Sequence, residues 1–392
     1  MRFLKFACVI FLVHVSYGQR HDFETGKPAS KSYHTEIPYE KVQGKLIIPV
    51  TIDNETYRFL FDTGAPNIIS ADLWRKIDSK TVKSISVADA NQKRLAMEIT
   101  AVSNMRLGDI VFLDSSALIF ETENNIVFDC FEVDGIIGTN MLRESIVQIR
   151  PKEQLLIISN QKKSIDVKGH SEMELMLKSD QSSPYISIRL KGEQSGTEPV
   201  LIDTGASGFY DLSNRNYNQL KQFKIAEIID TGEGSASIGI FGAADSKQQF
   251  RLRIPEIQLG ETSFLNVITT TSDDNNSRIG SDILEYGIVT LDFKRKKFYF
   301  GSFHAQNDLT EKLLGMTPIL KDGKLVVGIV WDDSLKTQIQ SGDEILELND
   351  MDLTNIDLCE LVNRESPFKQ NDTIAITVKR DNELKKLNLI KK

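Results

Sequence analysis

Cysteine is scarce in this chain. The 392 residues include three, Cys8, Cys130 and Cys359. Cys8 belongs to an N-terminal leader, and the other two lie far apart, so the sequence implies no disulfide framework. Histidine is also rare. There are five, with no ligand spacing and no His-Glu-x-x-His, so neither a metal site nor a cofactor is expected. Positive charge never gathers into a block, and the formal net charge is -8, which excludes a nucleic-acid partner. No run of 18 apolar residues follows the leader, so the mature chain is expected to have no membrane segment.

The leader, residues 1–18, carries Arg2 and Lys5, an apolar run over 6–15, and small Ser16 and Gly18. This is the composition of a secretory signal, and the expected location is periplasmic or secreted. The alternative is an anchor that stays uncut.

What dominates the rest is a repeated motif. Phe61-Asp62-Thr63-Gly64-Ala65 and Ile202-Asp203-Thr204-Gly205-Ala206 each end an apolar run. Further on, Ile136-Ile137-Gly138 and Ile279-Gly280 recur at nearly the same offset, and Ile146-Val147-Gln148-Ile149 aligns with Ile288-Val289-Thr290-Leu291. The spacing predicts an internal duplication of a mostly β unit. Strands are expected at 46–52, 57–61, 84–88, 94–102 and 110–120. In the second copy they are expected at 185–190, 199–202, 250–257, 265–269, 288–293 and 297–300. A short helix is expected at 140–144 and a linker at 304–309. After it, strands at 325–330, 344–348 and 373–379 and a helix at 355–363 predict a compact α/β module. The domain boundaries are then 1–18 for the signal, 36–160 and 161–302 for the two copies, and 310–392 for the module.

Two carboxylates brought close cannot both ionise cheaply, so they share a proton. One can act as base and the other as acid on a water between them. Glycine permits the tight turn, and a threonine hydroxyl can tie one loop to the other. Asp62 and Asp203 are therefore the candidate catalytic pair, supported by Thr63, Gly64, Thr204 and Gly205. A third Asp-Thr-Gly, at Asp230, is out of register and runs into Glu233-Gly234-Ser235. It reads as a chance match in a flexible hairpin.

With these motifs the chain resembles a bacterial aspartyl peptidase of the pepsin and retropepsin superfamily over residues 36–301. The resemblance implies a mainly β, two-lobed β-barrel fold from an internal duplication, and an exported, monomeric aspartic endopeptidase acting on peptides or proteins. It also implies β-hairpin flaps, for which 84–98 and 231–244 are the candidates. A flap tyrosine and the pepsin disulfides have no counterpart. Ala65 and Ala206 stand where pepsins carry a hydroxyl that would favour an ionised aspartate, so the optimum is expected to be mildly acidic to neutral. The terminal module resembles a circularly permuted PDZ domain in Leu313-Leu314-Gly315-Met316, Val326-Val327-Gly328-Ile329-Val330 and Gly342-Asp343-Glu344-Ile345-Leu346-Glu347-Leu348-Asn349. That resemblance implies that Leu314, Gly315 and Met316 hold a peptide C-terminal carboxylate; the alternative is a module that only packs on the protease. The competing function is a non-catalytic peptide-binding protein that uses the cleft and the module.

Overall fold

A computed structural model of the chain describes residues 23–77, 79–123 and 125–392. The expected signal at 1–18 lies outside the described residues. Among them, no helix is long and apolar enough to cross a membrane.

The protein is mainly β. The strand Lys45–Ile52 turns through Asp53 and Asn54, both at positive φ (51° and 68°), into Glu55–Phe61. This is a two-residue hairpin turn made by residues that tolerate the left-handed region. Alternation along Glu55–Phe61 divides its side chains. Phe59 and Phe61 enter the main core with Ile137, Ile202, Ile279 and Phe298. Leu60 faces a second cluster with Ile47, Ile136, Phe120 and Phe128. Each such side chain contributes about 1.5–3 kcal/mol on burial.

Gly135–Ile137 runs parallel to Glu55–Phe61, pairing Ile137 with Phe61, and antiparallel to Ile68–Ser70. Around Asp203, Arg278–Ile279 runs parallel to Ser195–Ile202, pairing Ile279 with Ile202, and antiparallel to Tyr210–Ser213. Each aspartate thus leaves the end of a strand flanked on both sides, where buried parallel pairing favours β-branched residues. The aligned strands Ile146–Arg150 and Gly287–Asp292 lie side by side, antiparallel, in a six-stranded sheet. Buried Gln148 joins them by donating to Thr290 Oγ1 at 2.9 Å.

Differences from the sequence reading have local causes. The helix expected at 140–144 is a single 3₁₀ turn, Thr139–Met141. The Asn140 side chain is instead committed to Asn67 N (2.8 Å) and Ser116 O (3.0 Å). The expected linker is docked: Gln306–Asp308 pairs with Thr262–Ser272, and Asn266 Nδ2 donates to Asp308 Oδ1 at 3.0 Å. The helix expected at 355–363 begins at Leu358, where Asp357 caps it by accepting from Cys359 N.

The terminal segment has its own core, including Met316, Val327, Ile345, Ile376 and Leu389. It is not separate from the rest. Cys130 on the helix Ile126–Phe131 and Cys359 on the helix Leu358–Asn363 form a disulfide across 229 residues of sequence. The two helices pack together, bringing the Cα atoms to 4.5 Å. The sequence implied no disulfide framework, and their separation along the chain says nothing about the packing that brings these two cysteines together. Asn363 Nδ2 adds a bond to Cys130 O at 2.7 Å.

Candidate active site

The two Asp-Thr-Gly loops meet through their threonines. Thr63 N donates to Thr204 Oγ1 (3.1 Å) and Thr204 N to Thr63 Oγ1 (3.0 Å). Each hydroxyl then donates onward: Thr63 Oγ1 to Ile202 O (2.6 Å) and Thr204 Oγ1 to Phe61 O (2.9 Å). Both threonines are fully buried, so the four bonds satisfy groups that would otherwise be costly to bury. Below each loop, Asp62 N donates to Ile137 O (3.0 Å) and Asp203 N to Ile279 O (2.9 Å). The apolar-Gly stretches therefore do lie against the loops.

This arrangement lays each carboxyl over the other loop's glycine. A Cβ on Gly64 would come 2.5 Å from Asp203 Cγ, and one on Gly205 would come 2.1 Å from Asp62 Oδ2. Only glycine allows that approach. Asp62 Oδ1 accepts from Gly64 N at 2.7 Å. Asp203 Oδ1 accepts from Gly205 N and Ala206 N, each at 3.0 Å. Burial, then the charge of Asp203, pushes Asp62 up to about 7, against the Gly64 N–H and Lys45.

Two cations border the pair, and sequence reasoning missed both. Arg278 Nη1 stands 2.8 Å from Asp203 Oδ2, and its Nη2 pairs with Asp274. Lys45 Nζ donates to Gly205 O and, at 3.0 Å, to Ser207 Oγ. Burial lowers the Lys45 amine, while Asp203 and Asp62 pull it back up. Nearby Asp211 is pushed up to about 6 by burial, partly offset by Arg278. A signal for Arg278 was present. The stretch after the second Asp-Thr-Gly reads Arg278-Ile279-Gly280 where that after the first reads Ile136-Ile137-Gly138, and the strand registers place Arg278 beside Leu201 as Ile136 is beside Leu60.

The candidate flap at 84–98 is the tip of a hairpin formed by Ser79–Ala88 and Arg94–Leu107. Its tip touches the other candidate. Asp89 Oδ2 accepts from Phe241 N (3.2 Å), and Asn91 Nδ2 donates to Gly242 O (3.0 Å). Ser237 Oγ donates to Asn91 Oδ1 (2.7 Å). Ile240 and Phe241 pack on the cluster that contains Leu60, with Phe241 6.1 Å from Phe120 between ring centroids.

The expected flexible hairpin at 233–235 is instead a junction. Glu227–Gly234 continues into the terminal segment by pairing Gly234 with Ile329. A Cβ on Gly234 would lie 1.9 Å from Gly328 O, so the backbones touch there. Asp230 sits on this strand, 3.3 Å from Arg251 Nη1. Arg251 Nη1 also donates to Leu314 O (2.9 Å), and its guanidinium lies over Trp331. Gly315 O accepts from Trp331 N (2.8 Å) and Asp332 N (3.0 Å). Met316 is buried at the start of Met316–Lys321.

Among the described residues, no group of three or more His, Cys, Asp and Glu could hold a metal ion. A surface cavity of about 420 Å³ is lined by Tyr217, Lys221, Lys224, Ile225, Ala226 and Ile228, away from the paired aspartates.

No curated protein matches the sequence. Among solved structures, the aspartic proteinase from Irpex lacteus is 14% identical with a TM-score of 0.43, covering 69% of this chain and 97% of that one. Conglutin gamma, a basic 7S globulin from lupine seeds, is 12% identical with a TM-score of 0.43, covering 69% and 95%. Basic 7S globulin from soybean is 11% identical with a TM-score of 0.42, covering 70% and 96%. The stretch that carries Asp62, residues 48–141, matches the model of the aspartyl protease family.

Proposed function

We propose that the chain is an exported, monomeric aspartic endopeptidase with Asp62 and Asp203 as its catalytic pair. The observation that carries the reading is the reciprocal bonding of Thr63 and Thr204, which holds the two carboxyls face to face. In the reaction, the ionised carboxylate takes a proton from water as its oxygen attacks the peptide carbonyl. The protonated partner gives its proton to the carbonyl oxygen. Collapse of the resulting diol breaks the C–N bond, the nitrogen takes a proton, and the pair returns to one shared proton. The match over 48–141 supports this chemistry for the Asp62 half.

The finer architecture belongs to the same reading. Residues 36–160 and 161–302 are two lobes of a duplicated unit, and 310–392 form a PDZ-like module whose Leu314, Gly315 and Met316 meet a peptide carboxylate. The disulfide fits an oxidising compartment, which supports export.

A non-catalytic peptide-binding protein is favoured by one observation, the bonds that close 237–242 on the hairpin tip. A peptide-library digest separates the two. Wild type is expected to cleave, and Asp62→Asn and Asp203→Asn to lose about 10²–10⁴-fold in rate. Asp230→Asn is expected to be near neutral. Cleavage surviving either dyad change sinks the proteolytic reading.

A further inference from the structure

The two aspartates share a donor two residues on, Gly64 N for Asp62 and Gly205 N for Asp203, but Asp203 also accepts from Ala206 N, and one strand register position beside them carries a different residue. Gly135–Ile137 sets Ile136 beside Leu60, whereas Arg278–Ile279 sets Arg278 beside Leu201. The Arg278 side chain is 12% exposed and the Asp203 side chain 7%. Asp203 accepts at both oxygens, from Gly205 N and Ala206 N at Oδ1 and from the guanidinium at Oδ2. A proton on Asp203 Oδ2 would have to displace the guanidinium. Asp62 accepts from Gly64 N at Oδ1 and shares a side-chain hydrogen bond with Asp203. The pair is built from the same motif twice, yet its electrostatics are one-sided.

We propose that Arg278 is a positioning residue that decides which aspartate holds the shared proton, keeping Asp203 as the acceptor and assigning proton donation to Asp62. This rests on Asp62 and Asp203 being the working pair. An apolar residue here, such as Ile136 beside Leu60, would remove the charge that separates the two carboxylates and leave only the extra Ala206 N–H on Asp203 to tell them apart. With Arg278 present, Asp203 takes the proton from water and Asp62 gives its own to the carbonyl oxygen. The other charged and titratable groups facing the pair are Lys45 on Lys45–Ile52, Asp211 on Tyr210–Ser213, Asp274 before Arg278–Ile279, Asp282 on the turn Ser281–Glu285, and Tyr185 on Ser183–Lys191. Asp274 holds the second arm of Arg278 and fixes its aim at Asp203.

The test is a titration of the full chain, labelled with ¹³C at the aspartate carboxyls, from about pH 4 to about pH 9. Asp62→Asn and Asp203→Asn assign the signals. In wild type the Asp62 carbon is expected to carry the step near about 7, while the Asp203 carbon moves little through it. In Arg278→Gln the step is expected to rise by about one pH unit, because losing a nearby cation favours the neutral form. It is also expected to spread over both carbons. The alkaline limb of kcat/KM should move with it, and Arg278→Lys should restore the wild-type midpoint. Arg278→Gln strands Asp274, so Arg278→Gln/Asp274→Asn serves as a second variant free of the unpaired carboxylate: the step should again spread over both carbons, with a smaller rise because an anion is lost with the cation.

A wild-type step carried by the Asp203 carbon, or an Arg278→Gln titration like that of wild type, overturns the proposal. The titration needs no turnover. One-sided titration in a protein that cleaves nothing would end the proteolytic reading, and with it the donor role of Asp62, while the placement of the proton by Arg278 would stand. Cleavage with an evenly shared step would do the reverse.

Discussion

At the residue scale, the consequence is a pH dependence with a definite sign. Asp62 is raised from 3.8 to about 7, first by burial and then by Asp203. Between those values the folded chain holds a proton that the unfolded chain has released. This contribution to stability is fullest below about 3.8 and is lost as pH rises through about 7. Asp211, raised to about 6, adds a slope of the same sign. Thermal melting from pH 4 to pH 8 is therefore expected to show a Tm decline that Asp62→Asn reduces but does not abolish, since Asp211 remains. An unchanged slope would show that Asp62 is not the raised group. Activity is expected to fall above about pH 7 for the same reason, as the donor loses its proton. The absent hydroxyls at Ala65 and Ala206 led to a similar expectation by another route. The donors that Asp203 does have are backbone N–H groups and Arg278.

At the scale of elements, the hairpin tip and the loop at 237–242 stand out. They touch through three side-chain hydrogen bonds and the seating of Phe241 against Phe120. Asp89 organises both sides. Its Oδ1 accepts from Asn91 N and Lys93 N, and its Oδ2 from Phe241 N. Such contacts between irregular segments are the first to open in a folded protein. Phe241→Ser and Asp89→Ala are expected to speed amide hydrogen exchange at 88–94 and 237–243 by about ten-fold or more. Exchange in Glu55–Phe61 and Ser195–Ile202 should be unaffected. Equal acceleration in those central strands would mean that the contact supports the whole fold. The hairpin was legible, because its strands alternate and its turn is polar. Its meeting with the second loop was not, since the bonding groups are ordinary Asp, Asn and Ser side chains with no spacing to mark them.

For the whole molecule, the disulfide is the strongest long-range tie. It joins helices 229 residues apart, one beside the Leu60 cluster and one in the terminal segment. Val362, on the same helix as Cys359, packs on that cluster as well. Removing the bond as Cys130→Ser/Cys359→Ser is expected to cost about 2–5 kcal/mol. It should be read as a lower urea midpoint with the dyad titration retained. Mass spectrometry of a non-reduced digest should find the Cys130 and Cys359 peptides linked; two free thiols in oxidised protein would rule the tie out. The junction at Gly234 and Ile329 makes a second connection, by backbone. The 304–309 stretch, expected to be a linker, is a docked strand. The terminal segment is thus fixed to the rest by a covalent bond, by a backbone junction and by side chains such as Arg251, which bonds Leu314 O and lies over Trp331.

By itself the sequence determined what is local or repeated. Asp53-Asn54 made a hairpin turn because those residues accept positive φ. The alternation in Glu55–Phe61 sent Leu60 to one side and its neighbours to the other. The doubled Asp-Thr-Gly, with its apolar-Gly stretch at matching distance, marked Asp62 and Asp203 as the candidate pair and left out Asp230, which stands beside Arg251. Only the tertiary structure decided what surrounds them. Arg278 reaches Asp203 because a parallel strand pair holds it beside Leu201, and Lys45 reaches Gly205 from the start of Lys45–Ile52. Cys130 meets Cys359 because two helices pack. Such neighbours are fixed by register and packing, which chain spacing does not encode. That is why two copies of one motif could be read from the sequence as equal and yet differ in charge.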